Sequence, residues 1–177
     1  SSSTWTVLSM PSQTSPSSSS LTADLAGFLA GLNGSVDERL LTSATDRLVD
    51  TVASMVFGAE KPWSRMAIDH AVSSGAIGRS TIIGESDTGT TPTMAALANG
   101  ASAHAFELDD VHEEAINHPG AVVVPVALAL AEDLNRTGRD LLEAIVIGYE
   151  AMGRAGIAVG PAAHMLAGFH PTSMSGV

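Results

Sequence analysis

Between Ser35 and Ala59 the apolar residues Leu41, Ala44, Leu48, Val52 and Met55 recur at intervals of three and four. That spacing places them on one face of an α-helix, so the segment must bury a stripe against another element. Ser35 and Glu38 have the spacing of a capping box at its start. Few folds other than a packing of helices satisfy such a segment, and most of the chain repeats the demand.

LTADLAGFLAGLNG reads as a helix capped at Thr22 and stopped at Asn33-Gly34. A further helix is expected from Pro62 to about Val72. Thr91-Pro92 opens another through TMAALANGASAHAFEL, with proline where its missing N–H costs nothing. His118-Pro119 opens the apolar run AVVVPVALALA, and Thr137 with Asp140 starts LLEAIVIGYEAMGRAGIAVG. That last helix is apolar almost all round, which predicts a place deep in a core. Only GRSTIIGESDTGTTP has strand and turn character. The expectation is an all-α helical bundle over residues 21–177. Its helices carry more apolar surface than their neighbours can cover, and a further helix starts at GFHPTSMSGV, so the domain reads as incomplete.

Several function classes drop out on composition. The absence of cysteine excludes disulfides, thiolate metal sites and a cysteine nucleophile. A formal charge of −11 argues against a nucleic-acid partner, because phosphate binding needs a basic face. No apolar run is long enough for a membrane span. The leader, residues 1–20, is Ser-rich and has neither a basic start nor an apolar centre. It fits no secretory or mitochondrial signal, so it reads as a disordered tail and the protein as cytoplasmic.

ELDDVHEEAINHPG, residues 107–120, places Glu107, Asp109, Asp110, Glu113 and Glu114 beside His112 and His118. No lysine or arginine lies between Arg79 and Arg136. Three accounts stay open. The run is a solvated loop; or its imidazoles and carboxylates bind a metal, as in a metal-dependent hydrolase, although no ligand motif such as HExxH is present; or it performs acid–base chemistry. Histidine has the basicity to take a proton next to a carboxylate, and a neighbouring carboxylate fixes its tautomer. His118 stands at a helix start, where unpaired N–H groups favour an anion. His170 repeats the His-Pro arrangement. His104, His70 and His164 read as satisfied core histidines.

NGASAHAFELDDVHEEAINHPGAVVVPVALALAE, with GRDLLEAIVIGYEAMGRAGIAVG and GFHPTSMSG after it, resembles the MmgE/PrpD family from about Leu21 to Val177. The resemblance implies the N-terminal part of a large helical domain and a lyase or isomerase acting on a small di- or tricarboxylate. The family's activities include 2-methylcitrate dehydration, cis-aconitate decarboxylation and iminodisuccinate epimerisation. They proceed by proton transfer next to a carboxylate, without metal or cofactor, in homodimers. It further implies His118, His170 and Asp109 as catalytic residues, with Glu107, Asp110 and His112 at the substrate. Glu107 stands where many members have aspartate, and Val111 where many have threonine. The family's lid domain and site lysines lie beyond Val177, and Lys61 matches none of them. A missing C-terminal portion or second polypeptide is therefore expected to complete the site. The alternative is a truncated helical module without catalysis.

Overall fold

Among the described residues, proline opens five helices, each at a first turn where the backbone N–H has no partner to lose. A computed structural model describes residues 20–85 and 89–176. Its helices are α1 (Leu21–Gly31), α2 (Glu38–Gly58), α3 (Pro62–Ser73), α4 (Pro92–Ala103), α5 (Pro119–Asp133), α6 (Gly138–Val159), α7 (Pro161–Leu166) and α8 (Pro171–Ser175). Among the described residues there is no strand, and the fold is all-α. The strand-like stretch forms only an isolated antiparallel bridge, Ser80 to Thr90. The serine-rich leader, apart from Ser20, lies outside the described residues.

The starts of α1 and α2 differ from expectation. Ser20, not Thr22, caps α1 by accepting from Ala23 N. Asp37 caps α2, accepting from Arg39 N at 2.8 Å. Ser35 instead donates to the Leu32 carbonyl, and the Glu38 carboxylate pairs with Arg139. A carboxylate one residue ahead of the helix wins because it meets the unpaired N–H groups with a full charge. The capping box of Thr137 and Asp140 forms as expected.

Helices α4 and α5 pack against each other and serve two apolar clusters. Ala59, Ile68, Ala71, Ile82, Ala95, Ala98 and Ala129 form one, under α3. Ala44, Met55, Ala103, Ala121, Val124 and Ile145 form the other, between α2, α4, α5 and α6. Small residues set the spacing. A Cβ at Gly58 would run into the Ser102 carbonyl, so α2 crosses α4 only because position 58 has none. Pro125 inside α5 cannot donate to the Ala121 carbonyl, and Gly100 of α4 lies against that oxygen.

Helix α6 is not the deep core element its composition predicted. Its buried residues are Glu143, Ile145, Met152, Gly153 and Gly156, while Ile157 is 49 % exposed. It lies on one side of the bundle, against α2, α5 and α8. Leu97, Val126, Leu130, Phe57, Trp63 and Phe106 are also exposed, matching the expected surplus of apolar surface. Among the described residues, no helix is long and apolar enough to cross a membrane.

Candidate active site

The acidic segment leaves α4 at His104, which caps that helix, and returns to α5 at His118. Between them the chain doubles back at residues 112–117. His112 N donates to the Asn117 carbonyl at 2.8 Å, and Ala115 N donates to His112 Nδ1 at 3.2 Å. Closing this turn drives Ile116 to a φ of 49°, a left-handed conformation that a β-branched residue adopts only under constraint. Glu107 sits at φ 50°.

Adjacent side chains then point to opposite sides. The Asp109 carboxylate is fully buried, and both of its oxygens meet His104 Nδ1, at 3.0 and 3.1 Å. A carboxylate can only accept, so with Asp109 ionised the proton of a neutral His104 is on Nδ1 and Nε2 keeps a free lone pair. His118 Nδ1 lies 3.3 Å from Asp109 Oδ2, the oxygen that is 3.1 Å from His104 Nδ1. It is off the line a hydrogen bond needs, and among buried side-chain atoms it has no directed partner. The ring centroids of His104 and His118 are 4.7 Å apart, and His170 is 5.8 Å from His104 and 6.2 Å from His118. Two imidazoles thus flank one buried carboxylate, and the His170 ring stands beside them.

Of these residues His104 and His170 line an open cavity of about 450 Å³, together with Glu107, Val122, Thr172 and Ser173. That volume lies within the range of small-molecule sites, roughly 300–1,000 Å³. Two hydrogen bonds from the segment's end hold α8, and with it His170, in place. His118 N donates to Thr172 Oγ1 at 3.0 Å, and Asn117 Nδ2 donates to Ser175 Oγ at 2.8 Å.

Asp110 faces the other way. It accepts from Gly120 N at 2.9 Å and from the Tyr149 hydroxyl at 2.8 Å, with Arg47 4.0 Å distant. It therefore anchors the first turn of α5 to α2 and α6, with a negative charge at the helix start. Burial, and then the charge of Asp110, push the Tyr149 phenol far above its ordinary range. His112 lies on this side too, its Nε2 against Gly153 of α6. The structure thus brings together His118, His170, Asp109 and Glu107 and sets Asp110 and His112 apart from them. Glu113 and Glu114 are exposed, so the solvated-loop account describes that part of the segment.

His104 is the residue the sequence reading passed over. It is 31 % exposed and is the closest partner of Asp109. Its signal was its place in the last turn of a helix that runs straight into the acidic segment. His70 is exposed at the end of α3 rather than in a core. His164 is partly buried, its Nδ1 3.3 Å from the Gly160 carbonyl.

Among the described residues, two groups could hold a metal ion. The donor atoms of His104, Glu107 and His170 lie within 4.8 Å of one another, as do those of His104, Asp109 and His118. His104 belongs to both, so one ion would take it from the other set.

An all-helical domain that gathers histidines round a buried carboxylate beside an open cavity defines the class. The chain belongs to the MmgE/PrpD family, whose N-terminal domain matches residues 23–177. A human cis-aconitate decarboxylase is 32 % identical over 162 residues, covering 89 % of this chain and 34 % of the relative. A cis-aconitate decarboxylase of Aspergillus terreus is 30 % identical over 80 % of this chain and 30 % of its own length. The mouse enzyme of that name is 38 % identical over 55 % of the chain. The chain spans about a third of the length of these relatives.

Proposed function

We propose that this chain is the N-terminal part of a lyase that acts on a small di- or tricarboxylate, of the cis-aconitate or 2-methylcitrate kind, by moving a proton at carbon next to a carboxylate. The observation that carries the reading is the His104–Asp109–His118 cluster facing His170 beside an open cavity. His118 is the base. Its Nδ1 is beside Asp109, so the ring nitrogen on the far side takes the proton, and the buried carboxylate stabilises the imidazolium that results. His170 serves as the second proton-carrying group, and Glu107 at the rim accepts from a substrate hydroxyl. The enolate-like charge and the substrate carboxylates need cations. Among the described residues, no lysine or arginine lines the cavity. In this reading the cations come from the rest of the protein or from the partner subunit of a homodimer.

The test is turnover of cis-aconitate and 2-methylcitrate by the protein at full natural length. His118→Ala and His170→Ala should each lower kcat by about 10²-fold or more, the contribution of a general acid or base, with helical content unchanged. Normal turnover by either variant would remove that residue from the mechanism.

The two donor groups favour a second reading, a metal-dependent hydrolase. It requires stoichiometric bound metal, and full turnover of these carboxylates after chelation would end it.

A further inference from the structure

His104 was not among the residues the sequence or the family resemblance put forward, yet it makes the best-formed contact in the cluster. Asp109 has no exposed side-chain surface, and His104 Nδ1 meets both of its oxygens. His118, the proposed base, has a buried Nδ1 that lies 3.3 Å from Asp109 but out of line with it. A buried carboxylate with one oxygen unpaired would rotate or neutralise, because an unsatisfied charge in a dry site is costly. The hydrogen bond from His104 prevents this.

We propose that His104 is a positioning residue: its Nδ1–H holds the Asp109 carboxylate at the angle and charge that His118 needs when it becomes an imidazolium. This rests on the lyase reading above only for its kinetic readout. The arrangement parallels metal sites in which one side chain holds a ligand in place by a hydrogen bond, and where removing that orienting partner costs about 10–100-fold. Here the oriented group is a carboxylate whose Oδ2 lies 3.1 Å from His104 Nδ1 and 3.3 Å from His118 Nδ1. His104 holds both oxygens of that carboxylate, so Oδ2 stays beside His118 Nδ1. The rings of His104 and His118 lie 4.7 Å apart, centroid to centroid, so the two imidazoles also pack and limit each other's rotation.

The experiment compares His104→Leu with His104→Asn in the protein at full natural length. The side-chain amide of asparagine places an N–H close to where Nδ1–H stands, and leucine keeps the bulk without a donor. His104→Leu should lower kcat about 10–100-fold with KM changed less than about threefold, while His104→Asn recovers most of the loss. Equal impairment of both overturns the proposal, because the ring itself would then be acting on the substrate. Wild-type kinetics in both overturns it as well. A second measurement needs neither substrate nor variant: the ¹⁵N shifts of the His104 ring should show a proton on Nδ1, and a neutral ring protonated only on Nε2 overturns the proposal. If the wild-type protein turns over no carboxylate while His104 shows Nδ1–H, the lyase reading fails and the positioning contact stands.

Discussion

The backbone N–H of His118 donates to Thr172 Oγ1 across 3.0 Å, so the two His-Pro helix starts of this chain are joined to each other. Residues 54 positions apart in sequence are thereby held in one wall. With the Asn117–Ser175 hydrogen bond and packing against α6, this contact holds the five-residue helix α8 in register, and His170 immediately precedes it.

Thr172→Val keeps the shape of this side chain and removes the acceptor. It should destabilise the fold by about 1–3 kcal/mol, the cost of a buried N–H left unpaired. Thr172→Ser should recover most of that. Denaturant unfolding of the two variants beside the wild type reads both, and a valine variant as stable as wild type would show that α8 is held by packing alone.

Gly120 has no room for a side chain. A Cβ there would lie 2.7 Å from Asp110 Oδ1, 2.7 Å from Thr51 Oγ1 and 3.1 Å from the Tyr149 hydroxyl. Gly120→Ala should therefore push Asp110 away from the first turn of α5 and cost about 1–3 kcal/mol of stability, as overpacking does. Thermal unfolding measures the loss, and a neutral result would mean that Asp110 is free to move.

Tyr149 is the only tyrosine in the chain, so its ionisation can be followed by phenolate absorbance. Burial, followed by the charge of Asp110, raises its folded-state pKa above the ordinary 10.0. Above that pH the unfolded chain has lost a proton that the folded one keeps. The stabilisation is therefore complete below about pH 10 and is lost as pH rises further. The absorbance step should coincide with loss of helix rather than precede it. An ordinary phenol titration in the folded protein would contradict the buried Tyr149–Asp110 contact.

Ile116 is held at a φ of 49°, where asparagine is far more at ease. Its side chain is 38 % exposed, so little packing is lost on replacement. Ile116→Asn should stabilise the 112–117 turn by about 1 kcal/mol, seen as a higher midpoint in thermal unfolding. Destabilisation instead would mean that the isoleucine side chain contributes more than its backbone costs.

Most of the helices were legible because their signals are local. Leu41, Ala44 and Met55 are buried as their spacing required, and Leu48 and Val52 are partly so. The proline starts at 62, 92, 119 and 171 sit where the sequence places them. Caps were less legible: Asp37 and Ser35 compete for one helix start, and the geometry of the preceding turn chooses between them. The one-sided burial of α6 was present in its sequence but masked by its apolar total: Arg139, Asp140 and Arg154 fall on the exposed side, opposite the buried Ile145, Met152 and Gly156. The residues that record its docking are Gly153 and Gly156, which leave space for the His112 ring and for Asn117.

At the candidate site, the sequence by itself determined that an acidic, histidine-bearing segment connects two apolar helices, and that histidine stands at the start of the second and again at Pro171. It could not say which carboxylate each histidine meets. Asp109 and Asp110 are adjacent and chemically identical, yet one is enclosed by His104 and His118 while the other is taken up by Gly120, Tyr149 and Arg47. Only the tertiary structure decided between them. The two carboxylates leave the chain on opposite sides, and which side holds imidazoles depends on how the end of α4 and the start of α5 pack against α6 and α8, which come later in the sequence.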